Sequence, residues 1–239
     1  MANWNPWRGC HKISEGCQYC YIHSGDIKKG IDTNIITKTD QFYRPIQKNK
    51  KGEYIIKTNQ IVYTCFNSDF FIEEADQWRA EVWDMIRQRQ DLKFLLLTKR
   101  IDRFGHVVPE DFKRNFQHVI IGCSVENQKQ VDQRLSVFVD LPIKHKLIIC
   151  QPMIEKIDLS KYINQNIDLV VVGGEAHKQA RPLHYNWVLH IRDLCEKNCV
   201  NFEFRQLGSI LIKDNKTYKI PRHQLASNAK KADINLMFK

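Results

Sequence analysis

The chain has 239 residues, of which 43% are hydrophobic and 27% charged, and its formal net charge is +10. This length and composition predict one globular domain over 1–239 with an ordinary apolar core. No apolar run reaches the ~18 residues of a membrane span, and the polar start does not resemble a signal sequence, so we expect a cytoplasmic protein without membrane contact.

Three cysteines, Cys10, Cys17 and Cys20, lie within eleven residues near the start of the sequence. Neighbouring thiolates repel one another unless a cation neutralises them, so this spacing favours a metal centre over three ordinary thiols. From spacing alone two centres remain open. One is a 4Fe-4S cluster with one iron that lacks a protein ligand. The other is a zinc ion with His11 or His23 as its fourth ligand.

Positive charge is concentrated in two segments. Residues 28–57 contain eight Lys and Arg against three acidic residues, and residues 213–239 contain seven against two. We interpret 21–59 as a basic insertion with a hairpin-like turn, and 209–239 as a basic C-terminal extension made of a hairpin and a short helix. Charge of this kind predicts contact with nucleic acid, although solvated loops would have the same composition.

After residue 60, short apolar runs alternate with stretches of helical periodicity. The runs are nearly continuous in Val, Ile, Leu and Phe, which is typical of strands buried on both faces. Predicted strands are Ile61–Phe66, Lys93–Thr98, His118–Cys123, Lys146–Cys150, Leu169–Val172 and Asn201–Arg205, with a possible short strand before the cysteines. Predicted helices are 73–90, 127–138 and 185–198.

This alternation predicts an α/β protein in which βαβ units build a parallel sheet. Six or seven strands suit a partial or full (β/α) barrel, and an open doubly wound sheet is the alternative. Five further cysteines fall in or near these elements and are expected to be buried structural thiols. They are Cys65, Cys123, Cys150, Cys195 and Cys199.

Polar residues follow most of the predicted strands, where the loops of a parallel barrel carry its chemistry. Asp69 or Glu175 suits an ammonium group, Glu126 suits ribose hydroxyls, and Gly173-Gly174 would let the backbone approach a ligand closely. A phosphate or carboxylate on a substrate would suit a separate set, in which the basic residues supply charge. That set is Lys99, Arg100, Arg181, Arg205 and Gln206.

The cysteine run resembles a known family. Its last part, Cys17-Gln-Tyr19-Cys20, resembles the end of the radical S-adenosylmethionine signature, although six residues rather than three separate the first two cysteines. Asn5-Pro6 and the spacing of the run are more similar to the three-Cys-motif phage proteins, the gp thirty-seven/gp sixty-eight family. Further matching landmarks are Asn67-Ser68-Asp69, Leu97–Arg100, Ser124-Val125-Glu126, Gly173-Gly174-Glu175, Ala180-Arg181-Pro182 and Phe204–Gly208.

The resemblance implies a radical-S-adenosylmethionine-like barrel with a 4Fe-4S cluster on the three cysteines and S-adenosylmethionine on the open iron. It implies that Tyr19 packs near the adenine. The cofactor-binding set is then Tyr19, Ser68, Asp69, Ser124, Glu126, Gly173, Gly174 and Glu175.

Three functions follow as hypotheses. The first is an enzyme that cleaves S-adenosylmethionine to a 5′-deoxyadenosyl radical and acts on nucleic acid or a nucleotide. The second is a non-catalytic nucleic-acid-binding module stabilised by a zinc or iron–sulfur site. The third, suggested by the resemblance, is an interaction protein that works with a separately encoded partner.

Overall fold

The computed structural model describes residues 1–238. Within them the strands are β1 (Ala2–Trp4), β2 (Trp7–Arg8), β3 (Thr37–Lys38), β4 (Ile61–Thr64), β5 (Lys93–Thr98), β6 (Val119–Ser124), β7 (His145–Cys150), β8 (Leu169–Gly173), β9 (Leu183–His184), β10 (Asn201–Gln206), β11 (Ile210–Lys213) and β12 (Lys216–Lys219). The helices are α1 (Tyr21–Ile27), α2 (Asp76–Gln88), α3 (Phe104–Val107), α4 (Phe112–Asn115), α5 (Gln128–Phe138), α6 (Tyr185–Lys197) and α7 (Leu225–Lys231).

The main sheet has seven strands in the order β1-β4-β5-β6-β7-β8-β10. The pairs β1–β4, β4–β5, β7–β8 and β8–β10 are parallel. Most residues of the strands from β5 to β8 are buried, as their nearly continuous apolar sequences predict. The sheet confirms the predicted α/β class, with a partial barrel of parallel strands. It also confirms the short strand before the cysteines.

The chain divides into two compact units. Unit 1 contains Met1–Lys12, Ile22–Gly122 and Leu141–His145. Unit 2 contains Ile13–Tyr21, Cys123–Asp140 and Lys146–Lys239. The cysteine run therefore contributes its first part to unit 1 and its second part to unit 2. That 1–239 forms a single domain stays a prediction.

In unit 1, α2 buries Val82, Met85 and Ile86 on the predicted stripe, together with Trp83. The insertion contains the predicted hairpin-like turn, in which Lys48 and Tyr54 form an antiparallel bridge. The short helices α3 and α4 were not predicted, because four residues are too few to show helical periodicity.

In unit 2, α5 and α6 each bury one apolar stripe, as predicted. The predicted C-terminal hairpin is β11–β12, which is antiparallel, and β9 adds to it in parallel. The predicted basic helix is α7. Cys199 is exposed, so the prediction that it is a buried thiol is wrong. It follows the end of α6 with a positive φ of 54°, at a turn that carries its side chain outward.

Across residues 1–238, no helix is both long and apolar enough to cross a membrane.

Candidate cysteine-centred site

Local backbone contacts shape the cysteine run. Cys10 N donates to Thr33 O at 2.8 Å in unit 1. In unit 2, Cys17 ends the short 3-10 turn Glu15–Cys17, and Cys20 N donates to Cys17 O at 3.3 Å. The last two cysteines of the run are therefore wound into one tight turn. Cys17 is buried, whereas Cys10 and Cys20 are partly exposed.

Unit 1 holds Gly9 through the residues that follow β4. The hydroxyl of Ser68 donates to Gly9 O. Gly9 has a φ of +93°, and a Cβ there would collide with the carbonyl oxygens of Thr33 and Ile35. Only glycine adopts this conformation without strain, which explains the residue directly before Cys10.

Arg100, after β5, contacts both Cys10 and the residue that follows it. Its Nη1 lies 3.9 Å from Cys10 Sγ, and its Nη2 donates to His11 O at 3.1 Å. Behind the guanidinium, Asp69 Oδ2 lies 3.0 Å from Arg100 Nη1. We call Ser68, Asp69 and Arg100 the unit-1 anchor.

The carboxylate of the unit-1 anchor is itself fixed. Asp69 Oδ1 accepts from the Thr98 hydroxyl at 2.7 Å and from Phe71 N at 2.9 Å, and Oδ2 accepts from Lys99 N at 2.8 Å. Burial alone would lower the pKa of Arg100, but the negative charges of Asp69 and Cys10 outweigh it and raise that pKa. The guanidinium therefore carries its positive charge beside the sulfur throughout the physiological range.

Unit 2 holds Gly16 through a buried ion pair. Glu126 Oε1 accepts from Gly16 N at 3.3 Å, and Oε2 accepts from Arg134 Nη1 at 2.9 Å. The side chains of Glu126 and Arg134 are 1% and 7% exposed. A Cβ on Gly16 would lie 2.9 Å from the Glu126 side chain, so a larger residue does not fit.

A second ion pair in unit 2 holds the same turn. Glu175 Oε2 accepts from Arg181 Nε at 3.0 Å and from Arg181 N at 2.8 Å, and Arg181 Nη2 donates to Glu15 O at 2.9 Å. Hydrogen bonding to Glu175 raises the pKa of Arg181. The Arg181 guanidinium also lies over the Tyr19 ring, which stacks on His177 at 4.5 Å. We call Glu126, Arg134, Glu175 and Arg181 the unit-2 anchor.

The glycine pair after β8 makes close backbone contacts. A Cβ on Gly174 would lie 2.5 Å from the Cα and N atoms of Gly208. A Cβ on Gly173 would lie 3.0 Å from the side chain of Gln151. Gln206 Nε2 donates to Gly174 O at 2.8 Å. This pair therefore packs the backbone against its own chain.

The remaining predicted residues differ in their contacts. Ser124 is buried, and its carbonyl oxygen accepts from Arg134 at 2.7 Å. Lys99 contributes its backbone N–H to Asp69, as described above. Arg205 pairs with Glu203 at 2.9 Å, and both side chains are 34% exposed.

Sequence reasoning missed two residues that contact the anchors, Arg134 and His177, and it noted Thr98 only within the landmark Leu97–Arg100. Arg134 carried the clearest signal, because it lies on α5 directly before Leu135 and therefore borders the apolar stripe. A charged residue in that position requires a buried partner. For His177 the sequence offers no comparable signal.

The fit of a metal centre depends on the donor chemistry. Within residues 1–238, no three His, Cys, Asp or Glu side chains are grouped so that they could hold a metal ion. The donors of the run do suit iron and sulfide, because three cysteines are the ligands that such clusters use. The zinc alternative has two candidates for its fourth ligand, His11 and His23. His11 Nε2 lies 2.5 Å from Glu74 Oε1. Burial lowers the pKa of His23.

Three cysteines outside the run have buried thiols that stay protonated. Burial raises the pKa of the Cys65 and Cys150 thiols well above the ordinary value, and it raises the pKa of Cys195 to about 12. Because the thiolate is the metal ligand, these protonated thiols are poor competitors for a metal.

The fold places the chain among α/β proteins with a parallel sheet and polar residues at the strand ends. The chain belongs to the family described as protein of unknown function (DUF5131), whose model matches residues 1–234. No curated protein matches the sequence. One solved structure similar to this chain is a mutant spore photoproduct lyase with dinucleoside spore photoproduct. It is 12% identical, with a TM-score of 0.44, over 95% of this chain and 70% of that chain.

Proposed function

We propose that Cys10, Cys17 and Cys20 hold a 4Fe-4S cluster and that the protein is a radical-S-adenosylmethionine-like enzyme. One observation carries this proposal: in each unit, charged strand-end side chains are directed at the cysteine run. Residues in these positions of a parallel α/β sheet normally serve chemistry. Here they fix the backbone on both sides of the cysteines, which is how a site that must hold a cluster is built.

When bound, the cluster would supply one electron to the sulfonium of S-adenosylmethionine, which would break its C5′–S bond and give methionine and a 5′-deoxyadenosyl radical. The residues of the chain serve binding and orientation. Arg100 compensates negative charge at Cys10, and the unit-2 anchor holds the turn that carries the other two cysteines. For the adenine the proposal retains Tyr19, whose ring stacks on His177. Glu126 and Glu175 are assigned to loop anchoring, because their oxygens accept hydrogen bonds from the protein itself.

The test is anaerobic reconstitution with iron and sulfide, followed by metal analysis and electron paramagnetic resonance. The wild-type protein should bind about four irons per chain, and Cys10→Ser, Cys17→Ser and Cys20→Ser should each lose most of that iron. Cys199→Ser is the matched control, since it removes an exposed thiol outside the run, and it should retain the iron. Stoichiometric zinc with no iron uptake would refute the cluster.

Cleavage is tested separately with the reconstituted protein. Dithionite and S-adenosylmethionine should give 5′-deoxyadenosine in the wild-type protein and none in the Cys17→Ser protein. A protein that binds the cluster but forms no 5′-deoxyadenosine would contradict the enzymatic part of the proposal alone.

A second candidate is a nucleic-acid-binding module without catalysis, and the exposure of its basic residues favours it. In the insertion the side chains of Lys28, Lys29, Lys48, Lys50 and Lys51 are exposed. In the extension the exposed basic residues are Lys213, Lys216, Lys219, Arg222, Lys230 and Lys231. The side chains of both sets are exposed to solvent, so phosphate groups of a nucleic acid can reach them. A separately encoded partner protein remains a further proposal, testable by co-purification from the native host.

Salt dependence tests this second candidate. The logarithm of the binding constant for DNA or RNA should fall linearly with the logarithm of salt concentration, with a slope set by the phosphates contacted. Changing Lys48, Lys50 and Lys51 to Gln should reduce that slope. The matched control changes Lys113, Lys129 and Lys156, which lie outside the basic segments, and should leave it unchanged. Binding that is absent or insensitive to salt would refute the module.

A further inference from the structure

The three-stranded sheet of unit 2 has two unlike faces. Its strands are in the order β12-β11-β9, with Leu211 paired to Leu183 and Ile212 paired to His184. Because successive side chains of a strand point to opposite faces, each of these pairs marks one face of the sheet. Leu211 and Leu183 are buried, so their face is the inner one. The face that carries Ile212 and His184 is the outer one, and both residues are partly exposed.

The outer face carries apolar and aromatic side chains that solvent can reach. Ile210 lies two residues before Ile212 on β11 and is also partly exposed. His184 stacks on Trp187 of α6, with the ring centroids 4.3 Å apart, and both residues are partly exposed. We call Ile210, Ile212, His184 and Trp187 the outer sheet face. Side chains of these types provide a surface on which another planar or apolar group can stack.

Positive charge borders the outer sheet face. Lys219 on β12 pairs with Ile210 in the antiparallel register and therefore lies on the same face. From Ile210 to Lys231 the chain has a single acidic residue, Asp214. The same segment has six basic residues, all of them exposed: Lys213, Lys216, Lys219, Arg222, Lys230 and Lys231. A ligand that complements this surface combines planar or apolar groups with negative charge.

We propose that the outer sheet face binds single-stranded nucleic acid, with bases on the Trp187–His184 stack and the two isoleucines, and with phosphates on the basic residues. This inference rests on the second candidate function, nucleic-acid binding, to which it adds a surface and a substrate class. A single strand fits because its bases can unstack and meet aromatic side chains. In a duplex the neighbouring base pairs cover the faces of each base, so the indole and the isoleucines would find no partner there.

The experiment measures fluorescence anisotropy of a labelled oligothymidine of about 12 nucleotides, and of its duplex with oligoadenosine, over a series of salt concentrations. The wild-type protein should bind the single strand about tenfold more tightly. Trp187→Leu should weaken that binding about tenfold and leave the salt slope unchanged, because stacking releases no counterions. Lys219→Gln should instead reduce the slope by about 0.7. Trp78→Leu, at a partly exposed position of α2, is the matched control and should bind as the wild type does.

Equal affinity for the single strand and the duplex would overturn the inference and leave nucleic-acid binding in place, and so would an unchanged affinity of Trp187→Leu. A wild-type protein that binds neither would overturn the second candidate function, and the inference with it. If Trp187→Leu fails to fold, photocrosslinking of the wild-type protein to an iodouridine-substituted oligonucleotide replaces it. Adducts on residues 184–187 or 210–219 would support the proposal, and adducts confined to the insertion 21–59 or to other parts of the chain would refute it.

Discussion

The two parts of the cysteine run are held by the same residue types used in different ways. In the unit-1 anchor, one carboxylate lies behind one guanidinium, which faces a sulfur and a carbonyl oxygen. In the unit-2 anchor, two guanidinium–carboxylate pairs face main-chain groups of the turn, at Gly16 N and Glu15 O. An arginine–carboxylate pair at a strand end can therefore face a cysteine sulfur or the backbone. The two anchors differ in the atom that faces the guanidinium or the carboxylate of the pair.

The largest expected effect lies in the unit-2 anchor. Glu126→Ala leaves Arg134 charged and buried without its carboxylate, which should lower the free energy of unfolding by about 3–5 kcal/mol. Urea denaturation followed by circular dichroism measures this. Glu126→Leu combined with Arg134→Met should recover much of the loss, because both buried charges of this pair are then removed.

The control for that variant is Glu196→Ala, which removes the exposed partner of Arg192 on α6. Its effect should stay within about 0.5 kcal/mol. If Glu126→Ala proves as mild as this control, the unit-2 anchor does not stabilise the fold as the contacts indicate.

The next prediction compares alanine substitutions at two glycines, Gly16 and Gly25. Gly16→Ala places a methyl group against the fixed Glu126 side chain and should cost about 1–3 kcal/mol. Gly25→Ala, inside α1, meets no atom within 4 Å and should stabilise the protein by about 0.5–1 kcal/mol. Thermal unfolding of both variants distinguishes crowding at the turn from a general effect of alanine. Equal behaviour of the two would contradict the close packing of Gly16.

A smaller effect is expected in the unit-1 anchor. Ser68→Ala removes the hydroxyl that donates to Gly9 O and should cost about 1 kcal/mol. Ser227→Ala removes an exposed hydroxyl of α7 and serves as the control. Denaturation midpoints measure the stability of both variants. If Ser68→Ala lowers the free energy of unfolding as much as Glu126→Ala does, the two anchors do not differ in their contribution to stability.

The smallest effect concerns the pH dependence of unit 1. Burial lowers the pKa of His118, whose Nε2 lies 3.0 Å from Ile86 O. As the pH falls, His118 of the unfolded chain binds a proton near the ordinary pKa of ~6.5. In the folded chain the same group binds a proton only at a lower pH. The stabilising contribution of neutral His118 is therefore present above pH ~6.5 and declines as the pH falls below that value.

His118→Phe should remove that decline, because Phe fills the same space beside Phe94 and Phe116 without titrating. Unfolding free energies measured from pH 7.5 to 5 test this, and His223→Gln, at an exposed position, is the control. An identical pH profile for wild type and His118→Phe would exclude His118 as the source.

The sequence predicted the sheet well because most of its strands are short, nearly continuous runs of Val, Ile, Leu and Phe that alternate with helical segments, a pattern typical of a parallel sheet. It could not predict what Glu126 and Glu175 would face. Their partners, Arg134 and Arg181, are set by the register of α5 and the path of a loop. The place of Arg134 beside the apolar stripe of α5 indicates that it has a buried partner, but it does not identify Glu126 as that partner.

The same limit explains the error at Cys199. Composition predicts that a cysteine after an amphipathic helix is buried, but the direction of the side chain depends on the turn that follows the helix. Arg181 shows a different case, since the sequence predicted it as a substrate residue within a landmark motif, and in the structure it supplies one half of an ion pair with Glu175.

The contact between Gly174 and Gly208 has a consequence for how this protein tolerates change. Gly174 follows β8 and Gly208 follows β10, its parallel neighbour, and a Cβ on Gly174 would lie 2.5 Å from main-chain atoms of Gly208, so a side chain cannot be added to Gly174 without displacing main chain. Enlarging Gly174 should displace Glu175, the next residue along the chain, and with it Arg181, which donates to Glu15 O. A methyl group added to Gly174 should therefore change the position of the turn Glu15–Cys17, although it makes no contact with that turn.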